Sequence, residues 1–234
     1  MPPKPKTTDD ETTLLPARVT VKPEPALLHR SLTSLPHNVI SARGSYLTLD
    51  NGDEILDACS GAAVAIIGHG NTEVTEAAVA QMDKVSYVHT MQYGTNSADD
   101  LASFILSPHS SSPTFSHGLV RAYFVGSGSE ANDAGVKCGR QYWFEKGETQ
   151  RKVYVARRQA YHGGTIGAMS ISGMPARKVP YDGITMPNVE FVGAADAFHR
   201  KGETETEEQF VERLIKEIED VFERVGPQNV ISFM

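Results

Sequence analysis

Residues 121–173 read RAYFVGSGSEANDAGVKCGRQYWFEKGETQRKVYVARRQAYHGGTIGAMSISG. Two apolar runs, Ala122–Val125 and Val153–Ala156, have the length and side chains of strands. Between them, from about Ala131 to Lys146, lies a helical pattern long enough for a βαβ crossover. The joint between the first run and the helix is Gly126-Ser127-Gly128-Ser129-Glu130. Small residues allow a tight turn and close approach of a ligand to the backbone. A helix start exposes unpaired N–H groups at the positive end of the dipole, and Ser127 and Ser129 add hydroxyls, so the joint suits a phosphate. The alternative reading of the same residues is a capping box, Ser127 with Glu130. A nucleotide P-loop is excluded, because no G-x-x-x-x-G-K-[ST] is present, and the third glycine of a dinucleotide fingerprint is missing.

The second joint follows Val153–Ala156 and reads Arg157-Arg158-Gln159-Ala160-Tyr161-His162-Gly163-Gly164-Thr165. It lies just past the carboxyl end of a strand, the edge at which open α/β sheets bind ligands. Tyr161 there can lie flat on a planar ring whose phosphate sits in the first joint; the alternative is that it packs on its own sheet.

Together these residues resemble the class III aminotransferases, which use pyridoxal 5'-phosphate (PLP) on the type I fold. The matching pieces are FVGSGSEAND (124–133), RQYW (140–143) and AYHGGTIGAMSISG (160–173), with YLTLDNGDEILDACSGAAVAIIGHGN (46–71) upstream. The likeness runs from about Val19 to Met234. It implies an α/β PLP-transferase type I fold, an incomplete large domain preceded by an N-terminal hairpin segment. It also implies that Gly128 and Ser129 hold the cofactor phosphate with Ser127 close by, Tyr161 stacks on the pyridine ring, and His162-Gly163 shapes the turn around it. Gly61, Ala62 and Ala63 fall where the family lines the substrate side. Some relatives carry a bulky aromatic at the Ala63 position, so alanine implies a larger substrate. Tyr93, with Tyr87 and His89, falls in a region that approaches the substrate pocket near a homodimer interface.

The chain has 234 residues and a formal net charge of −7, which argues against a nucleic-acid partner. No apolar run reaches membrane-helix length, and a reducing cytoplasm is expected. Cys59 and Cys138 fit neither a disulfide framework nor a metal knuckle, and both read as small core residues; no metal site is expected. Residues 1–18 are rich in Pro, Thr and charge and read as a disordered tail, without secretory or transit character. Residues 19–234 read as the N-terminal part of the aminotransferase.

Within that part, Val19–Ile40 reads as irregular. Tyr46–Leu49 and Glu54–Asp57 read as a hairpin about Asn51-Gly52, with positive φ at both. Cys59–Gly70 reads as a buried loop or short strand. Helices are expected at Asn71–Met82 and at Asn96–Leu106, the second with Leu101, Phe104 and Ile105 inward. Ser107–His117 reads as an exposed loop. The central helix shows the stripe Ala131, Ala134, Cys138 and Tyr142, whose small residues would let it approach the sheet. Gly173–Tyr181 reads as a Pro/Gly loop whose Arg177 and Lys178 either meet an acidic substrate or a partner subunit, or are solvated. A strand is expected at Asn188–Val192, an amphipathic helix over Thr204–Val225, and a further strand from Asn229.

The reaction implied is transfer of an amino group from an amine or amino acid to an oxo acid. It needs a Schiff-base lysine and an acidic partner for the pyridine nitrogen. In the family both follow the strand that begins at Asn229, and Lys137, Lys146, Lys152 and Lys216 lie away from the motifs. The sequence alone therefore leaves two readings: part of a transaminase, or a fragment without catalysis that acts in binding.

Overall fold

The computed structural model describes residues 26–31, 33–107 and 118–234. The expected tail, 1–18, and most of the Ser/Pro-rich loop lie outside the described residues. The chain divides into two compact units, Met1–Thr95 and Asn96–Met234.

In the first unit, β1 (Val39–Arg43), β2 (Tyr46–Leu49) and β3 (Glu54–Leu56) form an antiparallel meander. The expected hairpin is present, but the region before it is not irregular throughout, because β1 begins at Val39. The turn also differs from expectation. Only Gly52 has positive φ, at 90°, and its N–H donates to the Leu49 carbonyl at 3.0 Å. That is a three-residue loop closing on a glycine, with Asn51 in ordinary territory.

Cys59–Gly70 is neither buried nor a strand. Its first turn, α1 (Ser60–Ala63), is wound left-handed, with φ of 50°, 59°, 61° and 68° along Ser60, Gly61, Ala62 and Ala63. L-residues pay roughly 1–2 kcal/mol each for that conformation. Asp57 braces it: one carboxylate oxygen accepts from the Ser60 N–H at 2.8 Å and the other pairs with His69 Nε2 at 3.1 Å. The His69 contact, then the Ser60 amide, hold the Asp57 carboxyl below its ordinary value. Next comes α2 (Thr72–Lys84), capped by Asn71, whose side chain accepts from the Val74 N–H at 3.1 Å.

The second unit opens with α3 (Asn96–Leu106). Leu101 and Phe104 are exposed there, against expectation; periodicity marks a face made for burial, not the partner that buries it. Residues 119–125 also depart from expectation. They form no strand, and Tyr123 and Phe124 stay exposed.

The rest is a three-layered core. Helix α4 (Gly128–Glu145) leads to β4 (Val153–Arg157), α5 (Ile166–Ile171), α6 (Pro175–Lys178) and a 3₁₀ turn, Val179–Tyr181. Then follow β5 (Val189–Val192), α7 (Ala197–Arg200), α8 (Glu207–Val225) and β6 (Val230–Phe233). The sheet is parallel with order β5-β4-β6, so β4 is central and Val155 and Ala156 are fully buried. Continuous apolar strands such as Val153-Tyr154-Val155-Ala156 are what a sheet covered on both faces requires.

On one face α4 and α5 pack through Val136, Tyr154, Ala156, Ile171 and Ile231. The predicted stripe is the wrong side of α4: Cys138 and Tyr142 are exposed, as is Cys59. The close approach is made by Gly139, where an added Cβ would lie 3.0 Å from Ile231 Cγ2. Trp143 Nε1 donates to the Ile231 carbonyl at 2.9 Å, and the Tyr154 hydroxyl to the Val136 carbonyl at 2.5 Å. Both side chains are amphipathic, so each buries its ring only because its polar tip finds an acceptor.

On the other face α8 buries Phe210, Leu214 and Val221, as its rhythm predicts, with Thr206 and Gln209 forming a full capping box. Ahead of it, Glu205 accepts from Arg213 Nε at 2.9 Å and from the Gly202 N–H at 2.9 Å. Arg213 first, then that amide, lower the Glu205 pKa to about 2. A carboxylate depressed in the folded state stabilises fully above its unfolded value, near 4.5, and loses that contribution as pH falls toward 2. Glu205→Gln is therefore expected to be less stable than the parent at pH 6–7. The gap should close between about pH 4.5 and 2, read as urea midpoints across a pH series. A gap independent of pH would show that the ion pair is not its source.

Candidate functional site

The site is built at the N-terminus of α4. Ser127 is its cap, in extended backbone, and its Oγ accepts from the Glu130 N–H at 3.2 Å. The Glu130 carboxylate accepts from the Gly126 N–H at 2.6 Å. The capping-box reading is thus half realised, with the return bond moved back by one residue. The N–H groups of Glu130 and Ala131 are both spent on Ser127. Those of Gly128 and Ser129 have no hydrogen-bond partner among the described residues. Above Gly128 an added Cβ would meet nothing within 4 Å. Two free donors at the positive end of an 18-residue helix, beside two hydroxyls, make an anion seat.

The second joint is locked to this helix start. The Gly164 N–H donates to Ser129 Oγ at 3.0 Å, and Asn132 Nδ2 donates to the carbonyls of His162 at 2.7 Å and Gly128 at 3.1 Å. Asp133 accepts from the Ala168 N–H at 2.9 Å and so caps α5 from a neighbouring helix. Gly163 lies where the two segments meet. Its φ is 140°, and a Cβ there would lie 2.5 Å from Ser129 Oγ and 2.8 Å from Ser129 Cα. Asn132, Asp133 and Ser172 were not singled out from sequence. The available signal was a polar pair in the second turn of an otherwise small-residue helix, where side chains compete with the backbone unless they have work elsewhere.

Beyond the joint, the His162 N–H donates to Ser172 Oγ at 2.9 Å. His162 Nε2 is buried with no partner among the described residues, and burial holds the imidazole below its ordinary pKa, so it is neutral at pH 7. Tyr161 is 58% exposed, with the Arg177 guanidinium 4.9 Å from its ring centroid. Lys178 is half-buried. Its Nζ donates to the carbonyls of Ser170 at 3.0 Å and Ser172 at 3.3 Å, and sits 4.8 Å from the Phe191 ring centroid. Burial lowers its pKa. A cavity of about 160 Å³ opens among Tyr161, Gly163, Gly164, Arg177, Lys178 and Tyr181.

Ser127, Gly128, Ser129, Tyr161, His162 and Gly163 therefore come together from two joints separated by a helix and a strand. Ala63 and Tyr93 belong to the first unit; both are exposed, and Ala63 has a φ of 68°. Among the described residues no cluster of three or more His, Cys, Asp or Glu has a metal-binding arrangement, and no helix is long and apolar enough to cross a membrane.

The sequence profile of the class III aminotransferases matches residues 28–233. The chain belongs to that family. This aminotransferase chain is 43% identical over 208 residues to an uncharacterized aminotransferase of Schizosaccharomyces pombe, covering 89% of its own length and 44% of the relative's. Among solved structures it is similar to an (S)-enantioselective omega-transaminase from Thermomicrobium roseum, at 32% identity and a TM-score of 0.75. That match covers 85% of this chain and 42% of the other. It is also similar to an omega-transaminase from Pseudomonas jessenii in complex with PMP, at 26% identity and a TM-score of 0.76, over 85% and 42%. The fold is the type I fold of PLP-dependent transaminases, and the chain spans less than half the length of the relatives it matches.

Proposed function

We propose that this chain forms the phosphate and ring-stacking side of a pyridoxal 5'-phosphate site, in an enzyme that moves an amino group from an amine or amino acid to an oxo acid. The observation that carries the reading is the pair of unpaired amides at Gly128 and Ser129, placed beneath the joint that bears Tyr161. When bound, the cofactor supplies an aldehyde that accepts the amino group and a ring that stores the electron pair released at the substrate carbon.

The residues present fit that group. The Gly128 and Ser129 amides and the Ser127 and Ser129 hydroxyls can donate to a phosphate dianion. Ser129 Oγ already accepts from Gly164, which leaves its own proton free to donate outward. Tyr161 offers a ring face to a planar heterocycle, and His162-Gly163 keeps the chain close against the helix. A glycine at 163 is what permits that contact. Ala63 and Tyr93 are proposed to line the substrate side, where the small Ala63 side chain admits a larger amine. The exposed Val64, Ile66, Ile67 and Met91 beside them support a homodimer that covers this surface.

The test uses 4'-deoxypyridoxine 5'-phosphate, which has the cofactor's ring and phosphate but no aldehyde to react with stray lysines. The 234-residue chain is expected to bind it in equilibrium dialysis, to bind the dephosphorylated form far more weakly, and to release it to inorganic phosphate. Ser129→Ala should weaken binding about tenfold or more, since a hydrogen bond to a charged group is worth roughly 1.5–3 kcal/mol. Equal affinity for the phosphorylated and dephosphorylated analogues would overturn the reading.

A further inference from the structure

We infer that Arg177 is a positioning residue for Tyr161: its guanidinium closes one face of the tyrosine ring and leaves the other for a planar, anionic heterocycle. This rests on the function proposed above and concerns the same site.

Tyr161 is an exposed aromatic on a glycine-flanked joint. Left alone, such a side chain samples several rotamers, and a ligand must spend binding energy to select one. Here Arg177 lies 4.9 Å from the ring centroid, within cation–π range. The arginine stands on a fixed base. Its neighbour Lys178 anchors the four-residue helix α6 by donating to the Ser170 and Ser172 carbonyls at the end of α5. The same Ser172 uses its hydroxyl to accept from the His162 N–H and to donate to the Ala168 carbonyl. Gly173 completes the attachment, accepting from Gln159 at 2.7 Å and donating to Ala160 at 2.9 Å. The ring and the cation that covers it are thus tied to one short segment, Ser170–Gly173. They cannot drift independently while that segment stays in the core, where Ser170, Ile171 and Ser172 are buried.

The cavity beside the ring is lined by Tyr161, Arg177, Lys178 and Tyr181. Two cations there face no carboxylate partner among the described residues.

The experiment is a double-mutant cycle in the 234-residue chain, with 4'-deoxypyridoxine 5'-phosphate as probe. Arg177→Ala is expected to weaken its binding about threefold to tenfold, the range of a partly exposed cation–π contact. It should also reduce the circular dichroism induced in the bound analogue's ring absorption, because the ring is then held in more than one orientation. The affinity for inorganic phosphate, seated on Ser127–Ser129, should stay unchanged. Arg177→Lys should restore part of the loss. In a Tyr161→Ala background, Arg177→Ala should add nothing further.

A loss of phosphate affinity in Arg177→Ala would mean that the arginine binds the anion directly, and would overturn the positioning role. So would an undiminished effect in the Tyr161→Ala background, or an unchanged induced signal. If the parent chain does not bind the analogue at all, the proposed function itself fails. Parent binding with an inert Arg177→Ala removes only this inference.

Discussion

Gly163→Ala is expected to pull the Tyr161 joint away from the start of α4 and to weaken 4'-deoxypyridoxine 5'-phosphate binding by more than tenfold. The added methyl would stand 2.5 Å from Ser129 Oγ, 2.8 Å from Ser129 Cα and 2.9 Å from Ala168 Cβ, and two of these neighbours cannot rotate away. The backbone φ of 140° is also one that an alanine resists. Overpacking costs typically 1–3 kcal/mol and the backbone strain adds about 1–3 kcal/mol, so a stability loss of roughly 2–6 kcal/mol is expected. Relief comes by parting the two segments. That breaks the Gly164 bond to Ser129 and exposes the helix start to water. Dialysis against the analogue checks the first effect and urea denaturation the second. An alanine variant with parental affinity would show that the contact between the joints does not build the site.

The second large effect is expected at Ile171, which has no exposed surface and packs among Val136, Tyr154, Ala156 and Ile231. Ile171→Ala leaves a cavity that this well-knit layer refills only in part, at a cost of about 2–5 kcal/mol. For a chain of this size that corresponds to roughly 4–20 °C in Tm. The consequence reaches the site, because Ser170 and Ser172 on either side of Ile171 carry the bonds to Lys178 and His162. Calorimetry and analogue affinity should fall together in this variant. A stability loss with affinity intact at low temperature would separate the core from the site.

Much of this architecture was legible because local and global signals agree. The Val153–Ala156 run, the α8 rhythm and its Gly226-Pro227 stop each name one structure and receive it. The meeting of the two joints was legible for a related reason: a Ser/Gly helix start and a Tyr-His-Gly-Gly turn each follow an apolar run, and the structure brings them into hydrogen-bond contact through Ser129 and Gly164. What sequence could not supply was partnership. Ala122–Val125 has the side chains of a strand, yet a strand exists only when another backbone pairs with it. The stripe Ala131, Ala134, Cys138 and Tyr142 is a sound helix face, but α4 carries a second small-residue approach at Gly139, and packing used that one. Asp133 capping a different helix and Lys178 folding back onto α5 are long-range bonds. The polar pair Asn132-Asp133 hints that its side chains bond elsewhere, but spacing does not name the partner of Asp133 or of Lys178. The left-handed turn at Ser60–Ala63 runs against the preferences of three of its four residues, so no propensity argument could find it.

The strand order β5-β4-β6 also sets a timetable. Val153 pairs with Val230, whereas the other edge of β4 pairs with Val189–Val192 much sooner in the chain. On a ribosome adding about 5–20 residues per second, one edge of β4 is sealed seconds before the other. During that interval the backbone groups of Tyr154 and Val155 that β6 later takes stand open beside an apolar surface. α8 emerges in the same interval, and its buried face has no finished sheet to rest on until β6 arrives. Among the described strands the most deeply buried is therefore, for a time, open along one edge during synthesis.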